Sequence, residues 1–321
     1  MILINESVNR IQNEVKKTVK GKDQVIAKVL MAILAGGNIL LEDVPGVGKT
    51  TMAVSFAKAM GLDTKRIQFT PDTMPSDITG FSVYDRNTGK FSYRNGAIVT
   101  NLLLADEINR TSSRTQAALL EAMEEKKITI EGKTYNLPDP FIVLATQNPV
   151  GSAGTQMLPN SQLDRFMIRI NMGYPDLESQ IDILTDRHET NPLDSVEAVL
   201  DRDQLRELIA SVTAVNMERD IYEYAAKLVE ATRKHEMVTL GMSPRGALAL
   251  CRIAKAHAFL EGRNYVTPVD VQKMFPDVCK HRLVLNSKAR LNEYDAGNIV
   301  DEIIAEVEVP AVKEIKSVRD M

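Results

Sequence analysis

The chain has 321 residues, of which 44% are hydrophobic and 26% charged, and its formal net charge is −4. This length allows two domains and a sizeable buried core. The pI of about 5.7 excludes a general electrostatic attraction to nucleic acid or anionic membranes, although a local basic stripe stays open. The sequence has neither an apolar run typical of a signal peptide nor a stretch of about 18 apolar residues. These features predict a cytoplasmic protein without membrane insertion.

The first half of the chain alternates short apolar runs with helical patterns, after an amino-terminal helix expected at about residues 4–19. Continuous apolar runs occur at residues 38–43, 101–107 and 141–148, and each ends in polar residues. Such runs are typical of strands buried on both faces of a parallel sheet. The alternation therefore predicts an α/β domain whose functional residues lie at the carboxyl ends of its strands.

Two segments interrupt this alternation, and a helical region follows it. Residues 81–96 and 128–138 each show alternating polarity around a turn that contains glycine, which predicts two β-hairpins. After about residue 175 the helical pattern continues almost throughout. We therefore predict an α/β domain over residues 1–185 and a helical domain over residues 186–321.

The two cysteines, Cys251 and Cys279, are far apart and lack a C-x-x-C spacing. They are predicted to be reduced thiols, because a disulfide would need an oxidising compartment.

The sequence PGVGKT, residues 45–50, follows the first apolar run and opens a helical pattern. Helix amino termini attract anions, and Gly46 and Gly48 allow the backbone to approach phosphate oxygens. Lys49 would reach the β- and γ-phosphates, and the Thr50 hydroxyl would bind Mg²⁺. This stretch predicts a phosphate-binding loop, and a plain turn before a helix is the alternative.

Asp43 occupies the position at which the usual pattern of a phosphate-binding loop begins with glycine. Aspartate is among the few other residues that tolerate a left-handed backbone conformation, and Pro45 would stiffen the turn. A carboxylate aimed at the phosphates would weaken binding, so we expect the Asp43 side chain to face away from the γ-phosphate.

Polar residues end two further apolar runs. Asp106 would hold Mg²⁺, directly or through water, and Glu107 would polarise an attacking water. Asn148 would orient that water, because its amide both donates and accepts hydrogen bonds. The alternatives are an ordinary strand end at Asp106 and a turn-forming asparagine before Pro149.

Two arginines are candidates for contact with a transferring phosphoryl group. Arg165 lies in LDRF, residues 163–166, and such an arginine can act on a neighbouring subunit. Arg245 follows Ser243 and Pro244, which are typical of the N-cap and first position of a helix. A surface ion pair is the alternative for each arginine.

Taken together, these residues resemble those of AAA+ ATPases. The stretches RIQFTPDTMPSDITG, LLLADEINR, LLEAMEE, VLATQNP and QLDRF resemble the MoxR family, in the clade with a helix-2 insert and a hairpin before the sensor strand. The resemblance covers about residues 19–310. It implies a P-loop core with a parallel five-stranded sheet and two β-hairpin inserts, followed by an all-α lid, with ATP and Mg²⁺ as cofactors.

The resemblance also assigns roles to individual residues. The catalytic set would be Glu107, Asn148 as sensor 1, Arg165 as the arginine finger and Arg245 as sensor 2. The metal ligands would be Thr50 and Asp106. The nucleotide-binding set would be Val25 and Ile26 beside the adenine together with Pro45, Gly46, Val47, Gly48, Lys49, Thr50 and Thr51.

Family membership would further imply self-association into a ring, usually a hexamer. MoxR proteins are regarded as chaperone-like ATPases that mature or activate client protein complexes, some by metal or cofactor insertion. They are typically paired with a partner that carries a von Willebrand factor A domain. The resemblance therefore favours an ATP-hydrolysing remodelling chaperone.

Two other functions stay open at this point. One is a nucleotide-dependent assembly switch with negligible turnover. The other, which the acidic pI disfavours, is a DNA-acting motor. It would use the positive charge near the hairpins, at Lys90, Arg94, Lys126, Lys127 and Lys133.

Overall fold

The structure is a computed structural model, and it describes residues 2–42, 46–87, 89–148, 158–186 and 192–310. The chain divides into two compact units, Met1–Thr213 and Ala214–Met321. The stretch from residue 192 to 213 belongs to the first unit: the Val199 N–H donates to the Ala59 carbonyl at 2.8 Å, and Arg206 pairs with Asp139 at 3.1 Å. The boundary at 185/186 stays a prediction, and these contacts favour a later one.

The strands of the first unit follow the alternation predicted from the sequence. Its described residues contain β1 (Ile39–Glu42), β2 (Thr64–Gln68), β3 (Gly80–Asp85), β4 (Lys90–Asn95), β5 (Leu102–Asp106), β6 (Lys127–Ile130), β7 (Lys133–Asn136), β8 (Ile142–Gln147) and β9 (Ile168–Ile170).

A five-stranded parallel sheet forms the centre of this unit, in the order β2-β5-β8-β1-β9. The predicted apolar runs are its three middle strands. β5 and β8 are buried at every position because neighbouring strands and helices cover them. All five strands run in the same direction, so the residues that follow β1, β5 and β8 meet at one edge of the sheet.

The two predicted hairpins are present, as β3–β4 and β6–β7. Glu131 and Gly132 turn the second hairpin with φ of 49° and 78°, the conformation that a two-residue turn between twisted strands requires. Tyr93 of the first hairpin stacks on Tyr135 of the second, with ring centroids 4.5 Å apart. This contact joins the two inserts.

Helices cover the sheet of the first unit. They are α1 (Ile2–Lys16), α2 (Asp23–Leu34), α3 (Lys49–Ala59), α4 (Pro75–Thr79), α5 (Ser113–Glu125), α6 (Asn160–Leu163), α7 (Leu177–Asp186) and α8 (Arg202–Thr213). The amino-terminal helix expected at about residues 4–19 corresponds to α1. No helix of the described part of the chain has the length and apolar character needed to cross a membrane.

The second unit is helical, as predicted, with one addition. Its described elements are α9 (Arg219–Lys234), β10 (Val238–Leu240), α10 (Pro244–Leu260), α11 (Pro268–Cys279), β11 (Val284–Leu285), α12 (Ser287–Leu291) and α13 (Ala296–Glu306). β10 and β11 form a short antiparallel ribbon, which the expectation of an all-α domain did not include.

Both cysteines lie in helices of this unit and are free thiols, as expected. Cys279 is fully buried, and this burial raises the pKa of its thiol to about 12. The Cys279 thiol is therefore protonated and unreactive at neutral pH.

Candidate functional site

Two glycines directly before α3 have backbone angles that suit a phosphate-binding loop. Gly46 and Gly48 have φ of 89° and 94°, and a Cβ built on either would meet no atom of the described residues within 4 Å. α3 begins directly after Gly48, and no described side chain caps its first N–H groups. N–H groups without a side-chain cap and the helix dipole make this helix end suitable for an anion.

The side chains predicted to contact the nucleotide at this helix start are buried or half-buried where the structure describes them. Lys49 is only 7% exposed, at the first position of α3. Val47, Thr50 and Thr51 are half-buried. The predictions for Asp43 and Pro45 fall outside the described residues, so the direction of the Asp43 carboxylate stays a prediction.

The predicted adenine contacts lie in the first turn of α2. Ile26 is completely buried, whereas Val25 is partly exposed. Ile26 therefore contributes to the core of the first unit, and Val25 offers the accessible apolar surface.

Asp106 is the last residue of β5, and each of its carboxylate oxygens accepts a hydrogen bond. The Thr146 hydroxyl donates to Oδ1 at 2.6 Å, and the Arg66 guanidinium donates to Oδ2 at 2.7 Å. Thr146 comes from β8 and Arg66 from β2, the two strands that flank β5. Thr146 thus orients the nearly buried carboxylate, and Arg66 balances its charge.

Glu107 follows Asp106 in a left-handed conformation, with φ of 57°. Its backbone N–H donates to the Thr146 hydroxyl oxygen at 2.9 Å. Its carboxylate accepts from Asn148 Nδ2 at 3.1 Å and from Arg110 Nη1 at 2.8 Å. The two residues predicted to activate water, Glu107 and Asn148, are therefore in direct contact.

Asn148 directly follows β8 and is 7% exposed. Asn109 fixes its backbone: the Asn109 amide donates to the Asn148 carbonyl at 3.2 Å and accepts from the Asn148 N–H at 3.3 Å. Asn148 Oδ1 is buried and has no hydrogen-bond partner within the described residues. Because a buried polar atom costs free energy when unpaired, this oxygen can receive a water or a ligand donor.

Glu42 adds a second carboxylate at the same edge of the sheet. It ends β1 and accepts from Gln147 Nε2 at 2.8 Å, and its other oxygen lies 3.5 Å from the Arg169 guanidinium. Arg169 balances this charge, so Glu42 opposes an anion at the neighbouring helix start less than a free carboxylate would.

The two predicted arginines lie in other parts of the chain. Arg165 follows α6, and its Nε lies 3.3 Å from a carboxylate oxygen of Glu124. Arg245 is exposed in the first turn of α10, in the second unit. The predicted start of that helix is confirmed, since Ser243 Oγ accepts from the Gly246 N–H at 3.1 Å and Pro244 is its first residue.

Arg66, Arg110 and Thr146 are among the residues of the site that sequence reasoning missed. Thr146 could have been predicted, because it lies two residues before Asn148 and residues two apart along an extended chain point to the same face. Arg110, three residues after Glu107, had a weaker signal. Arg66 had none, because its pairing with Asp106 depends on the register between β2 and β5.

The residues present fit a bound magnesium nucleotide. The described residues contain no group of three His, Cys, Asp or Glu side chains that could hold a metal ion. Mg²⁺ needs no such cage, because it usually retains water and binds one or two carboxylates together with substrate phosphates. The Asp106 carboxylate, the Thr50 hydroxyl and an open glycine loop match that donor set.

One family match lies within each unit. Residues 38–168 match the ATPase family associated with various cellular activities (AAA), and residues 230–303 match the AAA lid domain.

The chain also has similar relatives over nearly its whole length. It is 47% identical over 296 residues to the uncharacterised protein YeaC of Bacillus subtilis, covering 92% of each chain. It is 38% identical over 312 residues to the chaperone MoxR1 of Mycobacterium tuberculosis, covering 94% of this chain and 82% of that one. A solved structure of a candidate ATPase from Cytophaga hutchinsonii is similar with a TM-score of 0.89 and 37% identity, covering 97% of both chains. The chain belongs to the MoxR family of AAA+ ATPases.

Proposed function

We propose that this protein binds ATP with Mg²⁺ at the start of α3 and hydrolyses it to ADP and phosphate. The observation that carries the proposal is the contact between Glu107 and Asn148, beside the anchored carboxylate of Asp106. A base, an amide that orients water and a metal-binding carboxylate are the parts that phosphoryl transfer to water requires.

Each residue of the proposed site has a separate task. The residues 45–51 bind the phosphates, with Lys49 on the β- and γ-phosphates, and Val25 and Ile26 lie beside the adenine. Thr50 and Asp106 would hold Mg²⁺, which supplies charge neutralisation on the phosphate oxygens when bound. Glu107 accepts the proton of the attacking water, and Asn148 orients that water.

Arg165 and Arg245 complete the proposed site as charge-stabilising groups. Arg165, proposed as the finger, acts on the nucleotide of a neighbouring subunit in a ring, which we propose to be a hexamer. Its pairing with Glu124 would have to be exchanged for the phosphoryl group. Arg245, at an exposed helix start, would contact the nucleotide from the lid.

We further propose that hydrolysis drives a chaperone-like remodelling of a client protein complex in the cytoplasm. Similarity to the chaperone MoxR1 supports the chaperone role. The proposal includes a partner with a von Willebrand factor A domain and a client that acquires a metal or cofactor. A pull-down with the tagged protein in the presence of ATP identifies that partner.

Lys49→Ala tests the nucleotide site. We expect binding of ATP to weaken by about 10- to 100-fold, because a charged hydrogen bond to a phosphate contributes about 1.5–3 kcal/mol. The measurement is titration with a fluorescent ATP analogue. Lys58→Ala is the matched control, since Lys58 is exposed in the last turn of the same helix. Equal weakening in both variants, or none in Lys49→Ala, would place the nucleotide elsewhere.

Multiple turnover separates hydrolysis from a nucleotide-dependent assembly switch. At saturating ATP and Mg²⁺, we expect phosphate release to exceed one equivalent per subunit, and the partner protein to alter that rate. Release that stops at one equivalent, with and without partner, would favour the switch.

DNA binding is the other alternative, and the hairpins give it its one specific support. Tyr84 and Phe91 are exposed on the first hairpin, whose second strand also carries the basic Lys90 and Arg94. Their rings are, however, tilted against each other at 5.2 Å as a cross-strand pair, which stabilises a hairpin without any ligand. We expect no salt-dependent binding of single- or double-stranded DNA in a fluorescence anisotropy titration. Binding that weakens steeply with salt would support the motor instead.

A further inference from the structure

Glu107 has an unusual backbone for its residue type. With φ of 57° it is in the left-handed region, which non-glycine residues occupy rarely. Local contacts must therefore hold it there, and they also determine where its carboxylate points. The bond from its N–H to the Thr146 hydroxyl is one such contact, at 2.9 Å.

Arg110 supplies two further contacts that hold Glu107 in this conformation. Its backbone N–H donates to the Glu107 carbonyl at 2.9 Å, and its Nη1 donates to Glu107 Oε2 at 2.8 Å. Both bonds lie within one turn of 3-10 helix at residues 108–110, so they need neither a nucleotide nor a second subunit.

Asn148 and Arg110 each bind one oxygen of the Glu107 carboxylate. Asn148 Nδ2 donates to Oε1 and Arg110 Nη1 donates to Oε2. With one donor on each oxygen the plane of the carboxylate is fixed, while each oxygen retains a lone pair for a water proton.

We propose that Arg110 is a positioning residue that aims the Glu107 carboxylate at the attacking water. The proposal rests on the ATP hydrolysis proposed above, and it assigns Arg110 no contact with the nucleotide. A purely structural role is the competing explanation. The pair is partly exposed, with Glu107 at 18% and Arg110 at 41% side-chain exposure, and exposed ion pairs contribute little to stability.

Steady-state kinetics of Arg110→Gln and Arg110→Lys test this role. A carboxylate that is free to rotate is misplaced by about an ångström, so we expect kcat of Arg110→Gln to fall by about 10- to 100-fold with KM for ATP nearly unchanged. Arg110→Lys keeps the charge and should recover part of kcat. Arg114→Gln, an exposed arginine four residues later, should match the unsubstituted protein.

A double substitution separates positioning from structural damage. In the Glu107→Gln background there is no base to aim, so Arg110→Gln should leave the residual single-turnover rate unchanged. A merely structural Arg110 would instead lower that rate again, together with the melting temperature and ATP affinity.

The outcomes also separate this inference from the proposed function. Full activity in Arg110→Gln, or an equal further loss in the Glu107→Gln background, would overturn the role of Arg110 alone. Full activity in Glu107→Gln itself would overturn the assigned base. Should Arg110→Gln fail to fold, kcat of Arg110→Lys and of its double variant decides by the same criteria.

Discussion

Replacing Glu107 with glutamine is expected to lower steady-state ATP hydrolysis by about 100- to 10,000-fold while ATP binding persists. Glutamine has nearly the shape of glutamate but does not accept a proton at neutral pH. The loss therefore reports removal of the base, provided that the site is otherwise preserved.

The hydrogen bonds around Glu107 indicate that the site is preserved in the Glu107→Gln variant. The amide oxygen of glutamine can accept from Arg110 in place of Oε2, which turns its NH₂ group toward Asn148. Asn148 Oδ1 has no partner within the described residues, so a flip of the Asn148 amide presents that oxygen as the acceptor. Arg110 and the glutamine NH₂ group then each keep an acceptor, while the Asn148 NH₂ group moves to the position that Oδ1 occupied.

Phosphate release and nucleotide titration on one preparation make the measurement. Glu121→Gln is the matched control, since Glu121 is an exposed glutamate on α5, the next helix. Unchanged turnover in Glu107→Gln would show that another group takes the proton. Loss of binding together with turnover would instead show that Glu107 supports the phosphate loop.

The strands differ in how well the sequence predicted them, and burial is the reason. β1, β5 and β8 lie in the middle of the sheet, so both of their faces are apolar and each appears as a continuous run. β2 and β9 are its edges. β2 reads TKRIQ, with four of its five residues exposed, and β9 has three residues. Edge strands of this kind carry no two-sided hydrophobic signal.

Some side chains of the candidate site could be predicted from the sequence, and others could not. Asp106, Glu107 and Asn148 were predicted because each follows a recognisable apolar run. Arg66 was not, since it contacts Asp106 from 40 residues away through the pairing of β2 with β5. Contacts that depend on strand register are set by the assembled sheet and leave no local pattern in the chain.

Asp270 in the second unit carries the largest expected effect on stability. It is completely buried at the third position of α11, where it accepts from the backbone and hydroxyl of Thr267 at 2.7 and 2.8 Å. His257 Nδ1 lies 2.6 Å from one of its oxygens, and Arg263 donates to both. One carboxylate thus joins α10, α11 and the loop between them.

Asp270→Asn is expected to lower the free energy of unfolding by about 3 kcal/mol. An amide carries no charge to balance Arg263, and its NH₂ group would face donors. The measurement is urea unfolding at neutral pH followed by far-UV circular dichroism. Asp301→Asn, at an exposed position of α13, should change the value by less than about 0.5 kcal/mol.

The pH dependence of this difference gives a second, independent check. Burial alone would raise the pKa of Asp270, but hydrogen bonds from His257, Arg263 and Thr267 outweigh it and hold the pKa well below its usual range. A depressed carboxyl pKa contributes stability that is present above the unfolded value of about 3.9 and is lost as the pH falls through the folded pKa. The gap between the unsubstituted protein and Asp270→Asn should therefore be constant from neutral pH to about pH 4 and narrow below it. A gap of the same size in strong acid would mean that the carboxylate charge is not its source.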